Sequence, residues 1–446
     1  MTARIGRRAI LAGLCASGMT AGRAASGQGQ RQGLENDAFQ AWLFALPLIE
    51  MAAARARLSQ RAPNSQDIPN NVLVHAPGLA GVQSRSITTP NRDTLYSSAF
   101  VDLTRGPVTL GLPDSGARYL SVAVLDMYTN AAIVVGTRTT GGRAGTYRLI
   151  GPHEGPRDGH DLTLPTPHGW LLVRVLADGD DDLAAAQKVQ KAVALSGPMT
   201  WSTGSSATRA APWPQYFQSA LRLLQSDPPT YKAGYDAFDR LRRAGSGGNF
   251  ERAGYSAEQV QAIDRGVAGA LQLVQSPPGR PVGGWGYPPS NLGLYGDDFA
   301  LRAVVAVTGL GALPVAEAMY MRPAGDDGNG LFRGDGFYRL HLAKPVPARA
   351  FWSLTLYEAT ADGQFYFTPN ALGRYAIGDR TRGLVRNADG SLDLWIGRSD
   401  PGDAHRANWL PAPARGPFSL TLRAYLPEPD LLEGRYRLPP VEQVRS

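Results

Sequence analysis

The chain has a single cysteine, Cys15, and it lies within the first 25 residues. The rest can form no disulfide, no thiolate metal site and no cysteine nucleophile, so core packing alone must hold it together. Lysine is almost as scarce, with Lys188, Lys191, Lys232 and Lys344 the only ones. Arginine supplies the remaining positive charge, scattered singly with no basic run, so the formal charge of +7 gives no reason to expect a nucleic-acid partner. Common catalytic signatures are also missing. There is no Gly-x-Ser-x-Gly elbow and no phosphate loop ending in Lys-Ser/Thr. No second histidine follows His153-Glu154 at the spacing a zinc helix needs, and Gly309-Leu310-Gly311-Ala312-Leu313-Pro314 has proline where a dinucleotide loop needs its third glycine.

What is present begins with an export signal. Arg7-Arg8 precede a short apolar run from Ile10 to Met19, closed by small residues at Ala24 or Ala25. That layout is expected of a removable twin-arginine-type leader over residues 1–25, which places the mature protein in the periplasm or outside the cell. The apolar run is far short of the ~20 residues that span a bilayer, and no later segment spans one either. Removing the leader takes away Arg4, Arg7, Arg8 and Arg23 and no acid, so the mature chain is nearly neutral.

Hydrophobic residues make up 43%, and 52 glycines and 34 prolines favour many short strands joined by tight turns. Residues 26–180 are expected to form one unit. Phe39, Trp42, Leu43 and Leu46 share a helical face that Pro47 should kink or end. A run of period-two segments follows, from Thr94–Leu103 to Trp170–Leu176, spaced as in a β-sandwich. Residues 181–289 read as helical: Asp180–Asp182 can cap Leu183–Leu195, and Ser256 with Gln259 makes a capping box. Residues 290–446 return to strands, including Phe351–Tyr357 and Phe418–Leu426. The fold class is therefore mainly β with a helical insert.

Two clusters suggest a site. In Asn91-Arg92-Asp93-Thr94-Leu95-Tyr96 and in Asp126-Met127-Tyr128-Thr129-Asn130, an aspartate ends an apolar strand stripe. A half-buried carboxylate can carry a raised pKa suited to acid or base work, or it can simply hydrogen-bond a turn. Phe351, Ser353, Thr355 and Tyr357 share one strand face of hydroxyls and aromatics, the kind that lines a ligand cleft, and Trp409 is a large aromatic in an extended segment. His153, His160 and His168 lie in one loop, and Asp326–Gly330 only loosely follows a calcium loop. No residue pattern assigns a metal, and the cofactor stays unknown.

Asn91–Ser97, Gly116-Ala117-Arg118-Tyr119 and Asp126–Asn130 resemble the family called domain of unknown function 1254. Tyr295-Gly296-Asp297-Asp298, Arg302-Ala303, Phe351–Tyr357, Arg374-Tyr375, Asp389-Gly390-Ser391, Asn408-Trp409-Leu410-Pro411 and Arg423-Ala424-Tyr425 resemble its usual partner, domain of unknown function 1214. Phe332-Arg333 stands where that pattern has a Leu-Asp pair. The resemblance implies an immunoglobulin-like sandwich, a helical insert and a jelly-roll-like sandwich, with no settled reaction. The expected function is binding of a small organic or carbohydrate-like ligand in a cleft between the β domains. Asn91, Arg92, Tyr96, Tyr128, Asn130, Tyr357 and Trp409 are the candidate contacts, and a homo-oligomer is left open. The alternative is a hydrolase or lyase with Asp93 and Asp126 as paired acid and base, which requires them about 5–10 Å apart.

Overall fold

A computed structural model describes residues 24–59, 67–85, 88–201, 206–232, 234–275, 283–361, 363–370 and 372–444. The expected leader lies outside these residues except for Ala24 and Ala25.

The first helix, α1 (Ala24–Ser59), is buried on nearly every side from Ala41 to Ala52, not along one stripe. A helix that is apolar all round belongs inside a protein, and α1 is wrapped by later helices. It also runs through Pro47, which corrects the expectation that the helix could end there. Proline removes one backbone donor, but the surrounding helices hold the segment in place. Trp42 stacks on Tyr216 at 5.3 Å, and the Tyr216 hydroxyl donates to the Trp42 carbonyl.

The N-terminal strands are β1 (Val74–His75), β2 (Thr94–Asp102), β3 (Val108–Leu112), β4 (Leu120–Asp126), β5 (Ala131–Gly136), β6 (Gly145–Ile150), β7 (Asp161–Thr163), β8 (His168–Leu176) and β9 (Ala194–Ser196). They form a five-stranded sheet, β1-β2-β8-β4-β5, and a four-stranded sheet, β7-β6-β3-β9. Between the two sheets pack Leu95, Val101, Leu110, Val122, Val124, Leu149, Leu171 and Val173. Helices α2 (Thr137–Thr140) and α3 (Leu183–Ala192) lie within this part of the chain. Asp182 does not cap α3 with its side chain; its carboxylate accepts two hydrogen bonds from Arg118 instead.

The middle segment is helical: α4 (Trp213–Ser226), α5 (Tyr235–Ala244) and α6 (Ala257–Gln275). Ser256 and Gln259 exchange side-chain and backbone hydrogen bonds at the start of α6, as a capping box does.

The C-terminal strands are β10 (Trp285–Gly286), β11 (Ala318–Pro323), β12 (Phe337–Leu342), β13 (Ala348–Ala359), β14 (Phe365–Tyr366), β15 (Ala376–Gly378), β16 (Leu392–Gly397), β17 (Trp409–Pro411), β18 (Phe418–Pro427) and β19 (Val441–Gln443). An inner sheet, β10-β11-β18-β13-β14 with β15 on β13, stacks on an outer sheet, β17-β16-β12-β19. Their shared core includes Met319, Met321, Leu340, Trp352, Leu354, Ile396, Leu420 and Leu422. Helix α7 (Phe299–Thr308) lies between β10 and β11, with Asp298 accepting from the Leu301 amide as its cap.

The second face of each central sheet decides where a site can lie. Phe100, Ala123, Leu125 and Leu172 of the N-terminal sheet share one core with α1, α4 to α7, and Phe351 and Tyr425 of the inner C-terminal sheet. The two sandwiches and the helices thus meet across a common interior.

Candidate functional site

Strand alternation sends every second residue toward this meeting surface. From the N-terminal side come Tyr96 and Ser98 of β2 and Trp170 and Arg174 of β8. From the C-terminal side come Tyr320 and Arg322 of β11, Ser353, Thr355 and Tyr357 of β13, and Thr421, Arg423 and Tyr425 of β18. The residues between them (Met319, Met321, Leu354, Leu356, Leu420 and Leu422) fill the apolar core behind. The polar face is therefore a property of the strands' pattern and not of a loop.

Asn91, on the approach to β2, stitches the walls together. Its Nδ2 donates to the Tyr425 hydroxyl at 2.7 Å and the Tyr96 hydroxyl at 3.1 Å, and its Oδ1 accepts from the Asp93 amide. The Ser353 hydroxyl donates to Asp93 Oδ2 at 2.7 Å. Arg174 lies over the Tyr96 ring at 5.2 Å, donates from Nε to its hydroxyl, and reaches the Gly311 carbonyl through Nη2 at 2.7 Å. Arg423 donates to the Thr355 and Tyr357 hydroxyls and to the Thr89 carbonyl. Thr89 has φ of 50°, a costly conformation for a β-branched residue. The Tyr357 hydroxyl donates in turn to the Pro90 carbonyl.

These contacts shift the acidities. Burial pushes the Asp93 carboxyl above the usual range, with Arg423 and Ser353 pulling the other way. Burial would also raise the Tyr96 phenol, but the Arg174 charge, hydrogen bonds from Arg174 and Asn91, and the Arg423 charge outweigh it and hold the phenol below its ordinary value. Tyr96 accepts from two N–H donors, so its oxygen is the best-supplied phenol in the site. Asp93, Tyr96 and Tyr320 are only half-buried, and Arg322 is exposed, although protein crowds its guanidinium closely enough to lower its pKa. Partial exposure there means that the facing sheets leave these side chains incompletely covered.

Of the expected site residues, Asn91, Asp93, Tyr96 and Tyr357 converge here. The others lie elsewhere. Arg92 faces outward, paired with Asp180 at 3.3 Å and lying over Tyr375. Trp409 is buried in the outer sheet, its Nε1 donating to the Gly397 carbonyl. Asp126, Tyr128 and Asn130 form a turn at the far end of β4. Asp126 Oδ1 accepts from the Tyr128 and Asn130 amides and Oδ2 from Asn130 Nδ2, while the Tyr128 hydroxyl donates to the Asp227 carbonyl. Asp93 precedes Thr94, which lies opposite Leu176, whereas Asp126 lies opposite Gly169. The backbone positions that carry the two carboxylates are thus more than about 23 Å apart along β8. A paired acid and base would need a fraction of that, so the pairing expected from sequence does not form.

The loop histidines do not assemble either. His168 hydrogen-bonds Asp227 at 3.0 Å while His160 stays exposed beside Asp158, and no group of three metal-ligating side chains occurs among the described residues. Asp326 spends its carboxylate on the Arg333 amide and the Tyr338 hydroxyl. A groove of about 660 Å³ beside Phe337, Arg398 and Gln443 lies on the outer sheet, away from the polar face.

Sequence reasoning passed over Arg174, Arg322 and Arg423 as site residues. The available signal was a lone arginine at an alternate position of an apolar strand, as in Leu171-Leu172-Val173-Arg174-Val175. A charge there must be held by something across the sheet.

Comparison with known proteins agrees with this architecture. The family described as "Protein of unknown function (DUF1254)" matches residues 70–197, and "Protein of unknown function (DUF1214)" matches residues 317–429. No curated protein matches the chain by sequence. The crystal structure of the VPA0106 protein from Vibrio parahaemolyticus is similar over 92% of this chain and all of its own, with a TM-score of 0.67 and 19% identity, which shows a shared fold. An uncharacterised protein from Burkholderia cenocepacia aligns over 94% of this chain and 98% of its own, at a TM-score of 0.45 and 14% identity. The chain belongs to the two-domain family in which the domain of unknown function 1254 precedes the domain of unknown function 1214.

Proposed function

We propose that the protein is exported and binds a small organic ligand in the recess between its two β-sandwiches. One observation carries the binding reading. The facing strand surfaces are lined with tyrosines, hydroxyls and arginines where an interface serving stability alone would interleave aliphatic side chains, as the two sandwich cores do. Such a surface is costly unless its polar groups are used. The export reading rests on Arg7-Arg8 and the apolar run behind them.

Native mass spectrometry of the full chain expressed in its own host tests both. The expected result is a mature species recovered from the cell envelope, shortened by about 25 residues as signal-peptide removal requires, carrying a small molecule that is released on denaturation. Replacement of Arg7 and Arg8 by lysine should keep the protein inside the cell. A cytoplasmic, unprocessed and empty protein would overturn the proposal.

A further inference from the structure

The recess holds more positive charge than the protein neutralises. Arg174 and Arg423 are 5% and 4% exposed, and Arg322, which is exposed, stands at their edge. Among the described residues none of the three has a carboxylate within ion-pair distance. Asp93 is the acid whose charge reaches Arg423, and Glu317 is already taken by Arg138. Every donor contact of Arg423 goes to a neutral oxygen, of Thr355, Tyr357 or Thr89. That fixes the guanidinium in place without discharging it.

The spacing is that of a clamp. Tyr320 lies opposite Arg423 in the β11–β18 register, so one step on Arg322 falls beside Thr421, and Arg423 is its diagonal neighbour at about 7–8 Å. Among the described residues, two buried donors on this face lack a hydrogen-bond partner, Arg174 Nη1 and the Thr421 hydroxyl. A buried guanidinium without an anion costs several kcal/mol, and guanidiniums are the side chains best shaped to grip carboxylate or phosphate oxygens.

We propose that this recess takes the oxyanion head, a carboxylate or a phosphate, of a small organic anion, gripped by Arg322 and Arg423 with Thr421 between them and Arg174 on the facing wall. This rests on the recess being the ligand site and adds the charge of what enters it. The half-buried Tyr96, Trp170 and Tyr320 form walls suited to a flat organic body behind the head.

Isothermal titration of the full protein with benzoate, with inorganic phosphate and with uncharged benzyl alcohol, at matched ionic strength, provides the test. Arg322 is the residue to change, because among the described residues its side chain makes no hydrogen bond or ion pair that Arg322→Met would break. Saturable binding of benzoate or phosphate is expected, weakened about tenfold or more in Arg322→Met, the share of one hydrogen bond to a charged group. The variant should melt no lower than the parent without ligand. Binding of neither anion, or binding that Arg322→Met leaves unchanged, would overturn the anion proposal. Binding of benzyl alcohol as tight as benzoate would also overturn it, while leaving the recess as a ligand site.

Discussion

Glu317 joins the two sandwiches through a single buried carboxylate, and replacing it measures how firmly they are held. It is 1% exposed at the head of β11. Its Oε1 accepts from the Tyr119 hydroxyl at 2.9 Å and its Oε2 from Arg138 Nε at 2.6 Å, both from the N-terminal sandwich. In Glu317→Ala the buried Tyr119 hydroxyl loses its carboxylate acceptor, which costs about 1–3 kcal/mol. Breaking a buried ion pair from one side costs about 3–5 kcal/mol in total. Arg138 is 31% exposed and can recover some hydration, so the low end of that range, about 3 kcal/mol, is expected. Glu317→Gln keeps an acceptor for Tyr119 and should cost about half as much. The assay is urea unfolding followed by tryptophan fluorescence. A double-mutant cycle with Arg138→Ala should return a coupling of about 1–3 kcal/mol. It should change little when salt is raised, because a buried pair is weakly screened. A Glu317→Ala protein within about 0.5 kcal/mol of the parent, the range of ordinary surface substitutions, would refute the clamp.

Three further outcomes follow from the packing and the charges. Burial pushes the Asp126 carboxyl up to about 6, with Asn130 and Arg302 opposing, so its folded pKa exceeds the unfolded value. Its contribution to stability is then fully present below the unfolded pKa and is lost as pH rises through about 6, roughly 3 kcal/mol across the window. Stability of the parent minus that of Asp126→Asn, followed from pH 4 to 6.5, should fall by that order, and a flat difference would count against it. At Gly266 a Cβ would sit 2.2 Å from the Glu35 carbonyl oxygen and 2.9 Å from Ala38 Cβ, because α6 crosses α1 there. Gly266→Val should lower stability by about 1–3 kcal/mol. Gly269→Ala, whose nearest neighbour is Phe39 at 3.5 Å, should be neutral or gain up to about 1 kcal/mol in thermal unfolding.

The sequence alone determined the local elements and their class. Period-two alternation in β2, β8, β13 and β18 requires two-faced strands, and Ser256 with Gln259 starts a helix, because both signals depend only on neighbours along the chain. The family motifs likewise named the two β units and their order. Which polar residues meet is a different matter, since it depends on how sheets distant in sequence face each other. Asn91 reaches Tyr425 across 334 positions and Asp93 reaches Ser353 across 260. Asp93 and Asp126 looked alike, each ending an apolar stripe, and only strand register showed them at opposite ends of one sheet. Pro47 read as a helix end by local rules, yet burial of α1 on all sides outweighs one missing donor. The three uncompensated arginines read as scattered charge in the sequence. Bringing two sheets face to face made them one site, because electrostatic environment follows from what lies across the interior and not from what lies beside a residue in the chain.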